Sequence, residues 1–215
     1  MSWLARRLPL VLLSAALVIV TAALVLQVLQ WPDPLHVTGS VLVACYLAWL
    51  LVESYTTVQS SKSSETVTDR GTVHVYATAR LLTLSTALLV PDDWGSYRPW
   101  MAAAVVVFVG AVLLRLWAIR TLGRFYSHRV RMVGDHELVQ GGPYRFLRHP
   151  AYTGMALAHV AFVSFFLNPF SAGALVVFLL PTLVVRILVE ERMLFRLDGY
   201  AEFAAGRKRL IPFVW

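Results

Sequence analysis

Six long apolar runs divide this chain and leave it few ways to fold. They cover Leu8 to Leu29, Val37 to Val58, Val73 to Val90, Trp100 to Ile119, Tyr152 to Leu167 and Ser171 to Val189. Crossing the hydrocarbon core of a bilayer takes about 20 apolar residues as a helix. In lipid every backbone amide must find its partner inside the protein, which favours helices for runs of this length. The third and fifth runs are short for a crossing. Composition agrees with a lipid solvent: 58% of residues are apolar and 14% charged, where soluble domains carry roughly one quarter charged. Because the runs continue along most of the chain, a cleavable signal followed by a soluble domain does not fit. The expected fold is an all-α integral membrane protein with about six transmembrane helices.

Only Asn168-Pro169-Phe170 separates the last two runs, enough for a tight turn and an antiparallel hairpin. Pro181 is expected to kink or break the second arm of that hairpin. With the first segment assigned to the cytoplasm, Arg6, Arg7, Lys62, Arg70, Arg120, Arg124, Arg129, Arg131, Arg145, Arg148, Arg192, Arg196, Arg207, Lys208 and Arg209 fall on that side. The opposite loops hold Asp33, Asp92, Asp93 and Arg98. Such asymmetry favours six crossings of the plasma membrane with both termini inside. Five crossings and a re-entrant last hairpin is the competing arrangement. The stretch from Gln59 to Asp69 reads as a polar connector. Residues 1–119 are expected to form four transmembrane helices, and 120–215 a catalytic, cofactor-binding region on the cytoplasmic side, in a monomer. The net charge of +7 sits at helix ends and does not imply nucleic acid. Cys45 is the single cysteine, so a multi-cysteine metal site is excluded and no metal is expected.

Polar residues collect in two stretches flanking the last hairpin. The first holds His136-Glu137-Leu138-Val139, Gly141-Gly142-Pro143-Tyr144 and Arg148-His149-Pro150-Ala151-Tyr152. Gly-Gly-Pro marks a turn, and Pro150 suits the first turn of a helix while holding His149 outside it. Free amides at that helix start, with Arg148, would suit a carboxylate. In the second stretch Arg186 and Glu190 stand four apart, on one helix face. They form either a structural ion pair or a site in which Glu190 meets a cationic ligand group and Arg186 an anionic acceptor. His36, His74 and His159 lack partners at metal-ligand spacing and read as structural or interfacial; His128 is ambiguous.

Taken together, Arg148-His149-Pro150-x-Tyr152, Glu190-Glu191, His136-x-Leu138-Val139, Gly142-x-Tyr144 and Arg209-Leu210-x-Pro212 resemble the isoprenylcysteine carboxyl methyltransferase family. The related phospholipid methyltransferases share the first two elements. This resemblance covers roughly Leu122 to Pro212; the first three helices agree in hydropathy only. It implies S-adenosylmethionine as cofactor and a lipophilic small molecule or a lipid-modified substrate as acceptor, with membrane lipids as partners. By position, His136, Glu137, Leu138, Val139 and Tyr144 would line the adenosine part. His149, Pro150, Ala151, Tyr152 and Glu190 would contact the methionyl part, and Arg131 is a further cofactor-binding candidate. Arg186 falls where the family positions its substrate, so Arg186, Glu190 and His149 are the expected catalytic residues. The chain is similar to compact prokaryotic members, so acceptor identity does not transfer. O-methylation of an isoprenylcysteine-like carboxylate or of a phenolic or pyrone hydroxyl is the preferred reading, with phospholipid N-methylation as its alternative. An NADPH-dependent sterol-type reductase is another, disfavoured by Ala151, Met155 and the paired glutamates. A non-enzymatic transport or interaction protein is the last.

Overall fold

The computed structural model describes residues 3–26, 28–61, 71–90, 96–126, 138–212 and 214–215. Among these residues the regular structure is helical apart from one isolated parallel bridge between Leu147 and Lys208. The first four apolar runs become α1 (Trp3–Leu26), α2 (Leu35–Ser61), α3 (Thr72–Leu89) and α4 (Trp100–Leu122), and the fifth becomes α5 (Pro150–Phe165). The sixth is continuous but composite: α6 (Pro169–Gly173), a π-helical stretch (Ala174–Leu179) and α7 (Leu180–Leu194). A short α8 (Tyr200–Ala205) follows. Four segments are long and apolar enough to cross a membrane: Val11–Gln30, Leu35–Ser54, Trp100–Leu122 and Pro169–Leu194. The chain is a multi-pass membrane protein. α3 has 18 residues and α5 has 16. At about 1.5 Å per residue both fall short of a hydrocarbon core roughly 30 Å thick.

Of the kink or break expected at Pro181, the break does not occur: a π-helical stretch lies directly before the proline. Proline has no N–H to donate, and its ring collides with the carbonyl four residues back. Widening the preceding turns relieves that collision, so the helix runs on. The hairpin turn is fixed by a reciprocal cap. Asn168 Oδ1 accepts from the Ser171 amide at 2.9 Å, and Ser171 Oγ accepts from the Asn168 amide at 3.1 Å. Asn168 Nδ2 also donates to the Thr86 carbonyl at 3.0 Å, tying the turn to the end of α3.

α4 and α5 pack along small residues, Ala104, Ala111 and Ala118 facing Ala151, Gly154 and Ala158, all buried. Small side chains let two helix backbones approach where lipid gives no hydrophobic drive for association. A Cβ built on Gly154 would lie 2.5 Å from the Ala111 carbonyl oxygen and 2.9 Å from Arg115 Cβ. Gly154→Val should therefore force the helices apart and cost about 1–3 kcal/mol, read as a lower unfolding midpoint in detergent; an unchanged midpoint would contradict the packing.

Inside the bundle, Tyr46, Trp49, Phe108 and Phe162 form an aromatic core, with Tyr46 and Phe162 ring centres 4.6 Å apart. His159 joins it as a satisfied core residue: Nδ1 donates to the Met155 carbonyl at 2.8 Å and Nε2 meets the Tyr46 hydroxyl at 3.2 Å. Beside this core lies a buried charge cluster. Glu53 of α2 receives Arg80 of α3 on Oε2 and Arg115 Nε of α4 on Oε1, the latter at 2.6 Å. Arg115 Nη1 goes on to the Ala151 carbonyl at 3.2 Å, anchoring the first turn of α5.

Candidate active site

The loop leading into α5 is shaped by Gly142, whose φ of +55° lies in the left-handed region that glycine enters freely. A Cβ there would also meet Thr121 Oγ1 at 2.8 Å. Pro143 then starts a short 3-10 turn, Gly142–Arg145. The next residues pair with the C-terminal tail: the Arg148 amide donates to the Lys208 carbonyl at 2.9 Å and the His149 amide to that of Arg209 at 3.0 Å. Thr153 Oγ1 adds a bond to the Leu210 carbonyl at 2.8 Å. The amides of Arg148 and His149, just before the helix start, are thus used by the tail, while those of Tyr152 and Thr153 turn to the His149 carbonyl.

Side chains follow the same logic. Arg148 Nη1 and His149 Nε2 both reach Glu191 Oε1, at 3.0 and 3.3 Å, while Arg209 Nε donates to Glu191 Oε2 at 2.7 Å. Glu191 is 3% exposed. One carboxylate therefore joins α7, the Arg-His-Pro loop and the tail, and the anion suited to Arg148 and His149 is supplied by the protein itself. The pair Glu190-Glu191 was visible in the sequence, but the role of Glu191 was not.

Its neighbour Glu190 is half-buried and turns towards α5, where the Tyr152 hydroxyl donates to Oε2 at 2.8 Å. The His149 and Tyr152 rings meet edge-on at 5.9 Å. Burial, reinforced by the nearby Glu190 carboxylate, holds the Tyr144 phenol well above its usual pKa. Burial also raises Tyr126, whose hydroxyl accepts from Arg115 Nη2 at 3.2 Å. Both phenols stay protonated donors at neutral pH. Tyr144 and Ala151 share one apolar cluster with Tyr200 and Phe203, with Leu138 and Val139 packed against it. Pro150 is buried at the start of α5. Seven of the expected cofactor contacts, Leu138, Val139, Tyr144, His149, Pro150, Ala151 and Tyr152, thus gather around the entry to α5, with Glu190 beside them. Arg131, His136 and Glu137 lie outside the described residues.

Arg186 parts company with Glu190. It is 5% exposed, its Nη1 donates to Thr72 Oγ1 at 3.2 Å, and its guanidinium lies 5.5 Å from the centre of the Tyr76 ring. The i to i+4 ion pair is not made: among the described residues Glu190 turns to Tyr152, and the Arg186 contacts named here lie on α3.

Comparison with known proteins meets this geometry. The profile of the isoprenylcysteine carboxyl methyltransferase family matches residues 103–196, from α4 through α5 to just past α7. A probable protein-S-isoprenylcysteine O-methyltransferase of Oryza sativa subsp. indica is 32% identical over 140 residues, covering 63% of this chain and 73% of the relative. The chain belongs to the isoprenylcysteine carboxyl methyltransferase family. Protein-S-isoprenylcysteine O-methyltransferase A of Arabidopsis thaliana is similar too, at 33% over 150 residues, 65% of this chain and 74% of that one. A solved structure of a eukaryotic intramembrane Ras methyltransferase of this family aligns over 100% of this chain and 99% of its own, with 16% identity and a TM-score of 0.47. As a family member this protein is a methyltransferase. Arg148 to Tyr152 and Glu190-Glu191 all fall inside the matched segment, whereas Glu53 and Arg80 lie upstream of it.

Proposed function

We propose that this methyltransferase uses S-adenosylmethionine to methylate an oxygen on a lipophilic acceptor, at the cytoplasmic face of the plasma membrane. The observation that carries the reading is the parting of the two ionisable residues of α7. Glu190 joins Tyr152 on the side of the Arg-His-Pro-x-Tyr loop, while Arg186 joins Thr72 and Tyr76 on α3. A two-substrate reaction needs two such sides with the reacting atoms held between them.

The residues fit the cofactor. Leu138, Val139, Tyr144 and Ala151 offer an apolar wall for a purine, and the half-buried Glu190 carboxylate offers a counter-charge for an ammonium or sulfonium. Bound there, the cofactor supplies an electrophilic methyl group. Glu191 keeps the loop and the tail closed, which excludes water from the site. Arg186 orients the acceptor's oxygen. A carboxylate acceptor is already ionised and needs no base; a phenolic or enolic hydroxyl would pass its proton to Glu190 or His149. Region 120–215 is the catalytic part, and six crossings with both termini inside bring its polar stretches to the cytoplasm.

Isothermal titration of the detergent-solubilised protein should show S-adenosylmethionine binding and no NADPH binding. Arg186→Ala should keep the cofactor affinity within about threefold while transfer of labelled methyl to an S-farnesylcysteine carboxylate falls by about 100-fold or more, the size lost with a positioned charged group. NADPH binding in place of S-adenosylmethionine would overturn the reading. Equal loss of both properties in Arg186→Ala would make Arg186 a structural residue.

A further inference from the structure

The loop before α5 and the C-terminal tail lie side by side. Their pairing is fixed by the bridge between Leu147 and Lys208 and by Arg207 Nε, which donates to the Arg145 carbonyl at 3.2 Å. Glu191, in the last turn of the spanning segment Pro169–Leu194, holds Arg148 of the loop and Arg209 of the tail. Thr153, in the first turn of α5, holds the Leu210 carbonyl. Loop and tail are thus tied to one end of a membrane-spanning helix, at the depth of the lipid headgroups.

What they turn outward is of two kinds. Leu147 is 7% exposed, whereas its neighbour Phe146 points the other way and is 68% exposed. Further along the tail Ile211 and Val214 are 53% and 69% exposed. That segment is closed into a turn, because the Leu210 and Ile211 amides both donate to the main-chain oxygen of Trp215, at 2.7 and 2.9 Å. Beside these apolar side chains stand two exposed cations, Arg145 next to Phe146 and Lys208 across the bridge.

Charge makes this surface one-sided. Neither 138–149 nor 203–215 contains an acidic residue. Glu191 takes Arg148 and Arg209, and Arg207 is spent on the Arg145 and Phe203 carbonyls with its face on the Phe203 ring. Arg145 and Lys208 meet no carboxylate among the described residues. A soluble polyanion would answer the two charges and leave Phe146, Ile211 and Val214 in water. A neutral lipid surface would take the apolar side chains and leave the charges unanswered. An anionic bilayer surface answers both. We infer that loop and tail form a platform that binds anionic phospholipid headgroups through Arg145 and Lys208, with Phe146, Ile211 and Val214 inserted beneath them. This contact does not depend on the methyl-transfer reading.

The test is local quenching in the full chain. Exposed Ala205, changed to Cys in a Cys45→Ala background, carries a bimane fluorophore beside the platform. The protein sits in phosphatidylcholine nanodiscs to which spin-labelled lipid is added, with either a phosphatidylglycerol or a phosphatidylcholine headgroup. Half-quenching should need at least about fivefold less of the anionic lipid, the worth of one cation held at a charged membrane surface. High salt should shrink that difference. Arg145→Gln/Lys208→Gln should bring the two lipids within about twofold of each other. Both side chains are exposed and outside the ion pairs, so this variant should unfold at the wild-type midpoint. Phe146→Ser should weaken quenching by both lipids alike. Equal quenching by the two lipids in the wild type, or a preference that survives in the double variant, would overturn the inference. Heparin binding by the wild type in plain phosphatidylcholine nanodiscs, lost in the double variant and with no lipid preference, would make the partner a soluble polyanion instead.

Discussion

Glu53→Gln should destabilise the folded protein more than any other single change in the charge cluster, by about 3–5 kcal/mol. That is the range for removing one partner from a buried ion pair. Glu53 is 4% exposed and Arg115 3%, so water cannot replace the lost carboxylate. Among the described residues the two guanidiniums would then be left with neutral acceptors: the amide oxygen of the substituted side chain, the Tyr46 hydroxyl, the Ala151 carbonyl and the Tyr126 hydroxyl. Because the cluster joins α2, α3, α4 and the first turn of α5, its loss should spread to the entry of the active site. Thermal unfolding in detergent, followed by circular dichroism, measures it. Arg80→Met is the control: it leaves Arg115 paired with Glu53 and should lower the midpoint by less than half as much. Equal midpoints for the two variants would show that charge balance does not hold these helices together.

The two adjacent glutamates should separate cleanly. Glu190→Gln removes a charge that no cation among the described residues pairs with, so the unfolding midpoint should stay near that of the wild type. Methyl transfer should fall by about 100-fold or more, the usual size for a charge placed at a reacting centre, with weaker S-adenosylmethionine binding in parallel. Glu191→Gln should act the other way round. Arg148, His149 and Arg209 would lose their shared carboxylate, at a cost of about 1.5–3 kcal/mol, since Arg148 and Arg209 keep some water. Limited proteolysis should then cut the tail near Arg207 to Arg209 faster, whether or not cofactor is present. Wild-type turnover by Glu190→Gln, or unchanged tail protection in Glu191→Gln, would reverse the assignment.

Much of this molecule is legible as a string. Apolar run length marks each long helix, because burying backbone in lipid leaves few other solutions. Gly142-Pro143 and His149-Pro150 mark a turn and a helix start, because left-handed φ and a missing amide proton are properties of single residues. The Arg-His-Pro-x-Tyr and Glu-Glu elements carry the family resemblance. At Pro181 the expectation left kink and break both open, and the unbroken helix with its π-helical detour is a choice that proline chemistry alone does not make.

The site was only half legible for a different reason. Adjacent residues on a helix point about 100° apart, so a Glu-Glu pair says that one carboxylate faces inward but not which. The tail decides it, by bringing Arg209 to Glu191 and leaving Glu190 to Tyr152. The same holds for Arg186 and Glu190, whose spacing permits an ion pair that the nearby Thr72 and Tyr152 hydroxyls divert. Glu53 meets Arg80 and Arg115 across separations of 27 and 62 residues, with nothing in the intervening sequence to announce it. Sequence alone determined which stretches form the long apolar helices and which motif the chain carries, since those follow from short-range sterics and solvation. Only the tertiary structure decided which charges meet, because pairing inside a low-dielectric bundle depends on neighbours contributed by distant helices.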